Sequence, residues 1–163
     1  MGAKELTPGK RAPAFALEDK DGEIHKPTAQ GYDYTVLFFY PKDNTPGCTL
    51  EAQAFTKDLL KFKRYGARLL GISGGDRGSK AAFCRKARLK TPLIADGDFK
   101  VAKKYGVYGP KSFMGRKYNG IFRVTFLLDK QGKLVHRFDD VDPRTHSKEV
   151  LQFIRTLRRP AKQ

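Results

Sequence analysis

YPKDNTPGCTLEAQAF, residues 40–55, is the stretch on which the reading of this chain turns. Before it stands the apolar run Thr35 to Tyr40, which suits a buried strand; after it, Ala52, Phe55, Leu59 and Phe62 recur at helical spacing, with Gly66 as a C-terminal stop. Cys48 therefore falls where a strand has ended and a helix begins. Free backbone N–H groups and the positive end of the helix dipole favour thiolate over thiol at such a place, and only the thiolate is a nucleophile. Pro46 and Gly47 suit a tight turn that brings backbone N–H groups near the sulfur, and the Thr45 hydroxyl, three residues upstream, is within reach of the sulfur or of an oxygen bound to it. Taken alone, the segment also fits an inert thiol buried in a core, because free cysteine is among the most buried residue types.

Working outward, strands and helices alternate as in one α/β unit. Phe15 to Leu17 and Ile24 flank an Asp21-Gly22 turn and predict an N-terminal hairpin. Leu69 to Ile72 reads as a strand, and Ser79 as the cap of a helix running through Phe83, Cys84 and Ala87 to about Leu89, closed by Pro92. A short strand at Leu93 to Ala95, a helix from Asp98 to Tyr105, and a hairpin of Arg123 to Leu128 with Leu134 to Phe138 follow. Asp142-Pro143 opens a last helix with Val150, Ile154 and Leu157 facing inward. The expectation is a single domain over residues 1–163.

Composition narrows the function classes. The chain has 163 residues, 39% hydrophobic and 31% charged, enough for one core and unlike a disordered or fibrous sequence. Its apolar runs are far shorter than the roughly 20 residues that cross a bilayer, so no membrane span is expected. The N-terminal MGAKELTPGK lacks the apolar stretch of a secretory signal, and Leu6 stands where acylation of Gly2 requires Ser or Thr, which points to the cytoplasm. Cys48 and Cys84 are too few for a disulfide scaffold, and His25, His136 and His146 share no ligand spacing with them, so no metal is expected.

Lys and Arg outnumber Asp and Glu by 33 to 17, a net charge of +16. Residues 61–90 are the extreme, with ten basic side chains against the single acid Asp76. Such a field attracts any anionic partner, including weak non-specific binding of polyanions, without choosing among them. Tyr105, Tyr108, Phe113 and Tyr118 interleaved with Arg and Lys offer a competing reading, a single-strand nucleic-acid surface; the simpler reading packs these aromatics in a loop. Gly109 to Ser112 lacks the spacing of a phosphate loop, and Gly71 to Gly75 lacks that of a dinucleotide fingerprint.

PKDNTPGCTLE (41–51), together with YGVYGPKSFMGRKYNGIFRVTFLLDKQGKL (105–134) and the GKRAPAF start (9–15), resembles the peroxiredoxin Q group, also called bacterioferritin comigratory protein. The resemblance spans nearly the whole chain. It implies a thiol peroxidase on a thioredoxin-like α/β fold, a central mixed sheet flanked by helices, working without a cofactor. It carries roles to Cys48, which attacks the peroxide and becomes a sulfenic acid; Thr45, which holds the peroxide in line; Arg123, a fixed cation beside the sulfur; Pro41, which shields it from water; and Glu51, which orients the arginine. Many relatives carry a resolving cysteine five residues after the first, where this chain has Gln53. A subset resolves from the following helix, so that role passes to Cys84, with a one-cysteine mechanism as the alternative. Lys80 and Arg88 share a helix side with Cys84, which places its thiol at or outside the core boundary, with Lys80, Arg85 and Arg88 holding part of it as thiolate. The implied partners are a hydroperoxide and a thioredoxin or glutaredoxin-like reductant, and the implied state is a monomer.

Overall fold

A computed structural model describes residues 6–157; Gly2, weighed above as an acylation site, lies outside them. The strands are β1 (Leu17–Glu18), β2 (Ile24–His25), β3 (Tyr34–Phe39), β4 (Ala67–Ser73), β5 (Leu93–Ala95), β6 (Tyr108–Phe113), β7 (Arg116–Ile121), β8 (Val124–Asp129) and β9 (Leu134–Phe138). The helices are α1 (Pro46–Lys57), α2 (Leu59–Arg64), α3 (Arg77–Ala87), α4 (Lys100–Lys104) and α5 (His146–Leu157). The central sheet runs β5-β4-β3-β8-β9, with β3, β4 and β5 parallel and β8 and β9 antiparallel, the mixed thioredoxin-like arrangement expected. The N-terminal hairpin is present as β1 and β2.

Both faces of this sheet are covered, so its strands read as continuous apolar runs. Side chains alternate across it: Val36, Phe38 and Tyr40 pack with α1, α2, α3 and α5, whereas Leu37 and Phe39 pack with α4 and the N-terminal segment. Phe55 stacks on Phe38 with ring centroids 4.5 Å apart, which fixes α1 across β3. Burying each such ring contributes about 1.5–3 kcal/mol.

Several boundaries differ from the sequence reading. The helix expected from Cys48 through Phe62 is broken at Asp58, whose buried carboxylate accepts bonds from Ser147 Oγ and Lys148 Nζ, both at 2.8 Å. Gly66 then turns with φ +73, and a Cβ there would lie 2.8 Å from Asp33 Oδ2, so only glycine fits. The cap of α3 is Asp76, which accepts from the Ser79 amide at 2.8 Å, and not Ser79 itself. Helix α4 is shorter than expected because Phe99 takes a left-handed conformation and Asp96 caps the amides of Val101 and Ala102. Asp142-Pro143 forms a turn first, and α5 proper begins at His146.

The largest departure lies at 108–121. What reads as an aromatic loop is the hairpin β6–β7, paired in register from Tyr108 with Ile121 to Phe113 with Arg116. Its turn places Met114 and Gly115 at φ 51 and 79, the left-handed pair that a tight two-residue hairpin requires.

Candidate active site

Helix α1 opens with Pro46 at its first position and Thr45 as N-cap, so the amide of Cys48 lies in the first turn, where no intrahelical partner exists. Cys48 is 1% exposed. Arg123, the residue before β8, donates from Nη2 to Cys48 Sγ at 3.4 Å and from Nη1 to Glu51 Oε1 at 2.6 Å. Because β8 pairs with β3 and the Cys48 loop leaves the end of β3, the sheet itself brings 48 and 123 together. A Cβ on Gly47 would stand 3.2 Å from Arg123 Nη2. Glycine there gives the guanidinium room to reach the sulfur, a role that the turn reading of Pro46-Gly47 did not contain.

Charge at the site follows from burial. Removal from water pushes the Glu51 carboxyl up to about 7, against the opposing pull of Arg123. Burial works against the charge of Arg123 too, but the Cys48 sulfur and the Glu51 carboxylate overcome it and hold the guanidinium above its ordinary range. These two directions compete, since a neutral Glu51 lends Arg123 little. The carboxyl's second oxygen, buried without a hydrogen-bond partner, favours the burial effect.

Pro41 and Thr45 form part of the wall of a cavity of about 550 Å³, with Phe99, Lys111, Tyr118 and Ile121 among the others. The Thr45 hydroxyl donates to the Lys42 carbonyl at 3.3 Å, turned neither to the sulfur nor to the helix end. Lys111, which the sequence reading passed over, is half-buried on β6 with Nζ donating to the Ile121 carbonyl at 2.8 Å. Burial and then the Arg123 charge lower its proton affinity, and the Cys48 sulfur opposes them. Behind the arginine, Thr125 Oγ1 pairs with His146 Nε2 at 2.7 Å, both fully buried.

Cys84 is placed otherwise than expected. It is 7% exposed and belongs to the same core cluster as Cys48, not to the surface side of α3. Burial pushes its thiol up; Lys20 of the N-terminal hairpin is the foremost opposing cation, ahead of Lys80. Lys80, expected outside with Cys84, is fully buried and paired with Asp43 at 3.0 Å. Both cysteines are free thiols. Gln53 reaches across to α3, donating from Nε2 to the Ala87 carbonyl at 3.2 Å. Among the described residues, Asp19, Glu23 and His25 bring metal-ligating atoms within 4.8 Å of one another, but Asp19 is already committed to His25 Nε2 and to the amides of Asp21 and Glu23.

A thioredoxin-like sheet with a cysteine at the head of its first long helix and an arginine on that sulfur defines a peroxiredoxin. The pattern of the AhpC/TSA family matches residues 8–137, and the chain belongs to that family. Within it, the chain falls in the peroxiredoxin Q, or bacterioferritin comigratory, group. It is 39% identical over 150 residues to peroxiredoxin Bcp of Escherichia coli K12, covering 92% of this chain and 96% of that one. It is 36% identical to peroxiredoxin Bcp of Bacillus subtilis over 91% of this chain and 95% of that one. Among solved structures, peroxiredoxin Q of Xanthomonas campestris superposes with a TM-score of 0.80 at 32% identity, covering 89% of this chain and 92% of that one. BcpB of Mycobacterium tuberculosis does so with 0.81 at 28% identity, covering 94% and 99%.

Proposed function

We propose that this peroxiredoxin reduces hydrogen peroxide and organic hydroperoxides with Cys48 as the attacking sulfur, Cys84 as the resolving one, and a thioredoxin-type dithiol as the final reductant. The observation that carries the reading is Arg123, which touches Cys48 Sγ with one nitrogen and is anchored on Glu51 by the other. A fixed cation beside the sulfur lies where charge develops on the departing oxygen. The cavity walled by Pro41 and Thr45 supports the organic part of the reading, as room for the alkyl side of a hydroperoxide. Structures of the Xanthomonas campestris relative concern alkyl peroxide reduction.

In the first step the Cys48 thiolate attacks the terminal peroxide oxygen. The O–O bond breaks, the alkoxide or hydroxide leaves and takes a proton, and the sulfur, oxidised by two electrons, becomes a sulfenic acid. Thr45 orients the peroxide, Pro41 keeps water from the sulfur, and Glu51 positions Arg123. In the second step the Cys84 thiolate attacks the Cys48 sulfur, an S–S bond forms, and hydroxide leaves as water. A disulfide needs Cα atoms within about 7 Å and aligned Cβ vectors. Both cysteines sit buried in intact helices, so the helix start at Cys48, or α3, opens locally first. Opening also returns Cys84 to water and removes the burial that keeps it protonated.

Peroxide titration of the wild type and of each Cys→Ser variant, followed by peptide mapping without reductant, tests both steps. Cys48→Ser is expected to abolish peroxide consumption, and Cys84→Ser to stop at sulfenic or sulfinic acid on Cys48. Peroxide consumption by Cys48→Ser at the wild-type rate sinks the reading. Absence of a Cys48–Cys84 peptide in oxidised wild type leaves a one-cysteine peroxidase.

A further inference from the structure

Among the described residues, Lys80 is the most enclosed charge that the peroxide chemistry does not use. It stands on α3 one turn before Cys84, fully buried, and all three of its protons are engaged. Nζ donates to Ser73 Oγ at 2.6 Å, to the Gly74 carbonyl at 2.6 Å and to Asp43 Oδ2 at 3.0 Å. Asp43 in turn accepts from Tyr40 OH at 2.6 Å and from Ser79 Oγ. The cluster thus joins four segments: the end of β3, the loop that leads to Cys48, the end of β4, and α3. At the other end of α3, Gln53 Nε2 holds the Ala87 carbonyl, and the Lys90 amide donates to Thr56 Oγ1 at 3.1 Å.

This arrangement bears on how Cys84 is released. Helix α3 cannot leave its place without carrying Lys80 out from under Asp43, which strips the partners of a buried ion pair at once. We propose that Lys80 is a positioning residue that holds α3 closed over Cys84 by pinning it to the Cys48 loop through Asp43, so that its grip sets how the Cys48 sulfenic acid divides between disulfide and sulfinic acid. The second half of this proposal rests on the peroxidase reading above; the first half does not. Two steps compete for the sulfenic acid. Cys84 thiolate displaces hydroxide from the sulfenic acid to give the disulfide, or a second hydroperoxide transfers one oxygen to the sulfenate, giving sulfinate and an alcohol. Slow opening of α3 favours the second.

The test uses Lys80→Met, which fills the same channel without a charge. In fully reduced protein, the rate of Cys84 alkylation by N-ethylmaleimide, read by peptide mass, is expected to rise at least about tenfold, because removing one member of a buried pair strongly weakens the closed form. At a fixed excess of peroxide, the sulfinic fraction on Cys48 is expected to fall. Leu134→Ala, a buried position on the opposite face of the sheet, serves as a control whose stability loss is measured alongside. A merely structural role for Lys80 predicts that the control raises Cys84 alkylation as much, for the same loss of Tm. Should Lys80→Met not fold, Asp43→Asn carries the same test, since it leaves Lys80 with Ser73 and Gly74. Alkylation unchanged within twofold, or matched by the control, overturns the proposal. An oxidised wild type without a Cys48–Cys84 disulfide sinks the resolving role of Cys84 instead, and the alkylation result still decides whether Lys80 holds the helix.

Discussion

Arg123 Nη1 lies 2.6 Å from Glu51 Oε1, while the other oxygen of that carboxyl is buried with no hydrogen-bond partner. The arginine is therefore anchored by a single bond to a group that burial pushes up to about 7. As pH rises through that value, Glu51 gains its charge and its grip on Arg123; below it, the carboxyl is neutral and resembles an amide. The ratio of wild-type to Glu51→Gln kcat/KM for peroxide is expected to be close to one below about pH 6 and to climb to about tenfold above pH 8, the size of a lost charge-assisted bond. Stopped-flow oxidation across that range reads it, and a flat ratio removes the pH-dependent anchor.

Gly47 leaves only enough room for the guanidinium. Gly47→Ala is expected to shift Arg123 Nη2 from its place at the sulfur, since the added carbon would stand 3.2 Å away, tighter than ordinary contact. Helix propensity improves by up to about 1 kcal/mol at such a change, so Tm should hold or rise. A fall in the peroxide rate constant of about tenfold with an undiminished Tm separates this effect from unfolding. Wild-type kinetics in the variant would show that the arginine tolerates displacement.

Asp58 ties the break between α1 and α2 to the start of α5. Its carboxylate is 2% exposed and accepts from Ser147 and Lys148. Despite burial, which works to raise it, those partners hold its proton affinity below the ordinary carboxylate value. Asp58→Ala leaves the buried Ser147 hydroxyl unpartnered and is expected to cost about 2–3 kcal/mol in urea unfolding. A midpoint equal to wild type would mean that Lys148 and Ser147 find water instead.

His146 gives a second pH dependence, of opposite origin. Burial holds its proton affinity below the ordinary imidazole value; Glu149 opposes this, and Arg123 adds to it. A depressed imidazole contributes stability above its unfolded value near 6.5, and that contribution fades as pH falls toward the lowered folded value, because the fold must then accept a buried charge. Urea midpoints at pH 7.5 and pH 5 should therefore drop more for wild type than for His146→Gln. Equal drops would place the acid sensitivity elsewhere.

How much of this was legible in the sequence depends on how local each signal is. Cys48 stood out because a buried strand, a Pro-Gly turn and a helical repeat meet at one residue. Arg123 did not stand out among 33 basic residues, and only its motif raised it. Lys80 and Cys84 were read outward because a lysine ordinarily marks the solvent side of a helix. The carboxylate that draws Lys80 inward is 37 residues away in sequence, beyond the reach of any helical pattern. Hairpin β6–β7 was missed for a related reason: its strands are largely exposed and carry no apolar alternation, and its turn is Met-Gly where Asn-Gly or Asp-Gly would have signalled.

The amide of Gln53 resting on the Ala87 carbonyl marks a seam where α1 and α3 abut. Cys84 lies one turn before the residue that Gln53 touches. The second thiol of this chain therefore sits beside the seam, on its α3 side. Any movement of α3 that exposes this thiol must part the seam as well, so the Gln53 amide loses its carbonyl partner in the same motion.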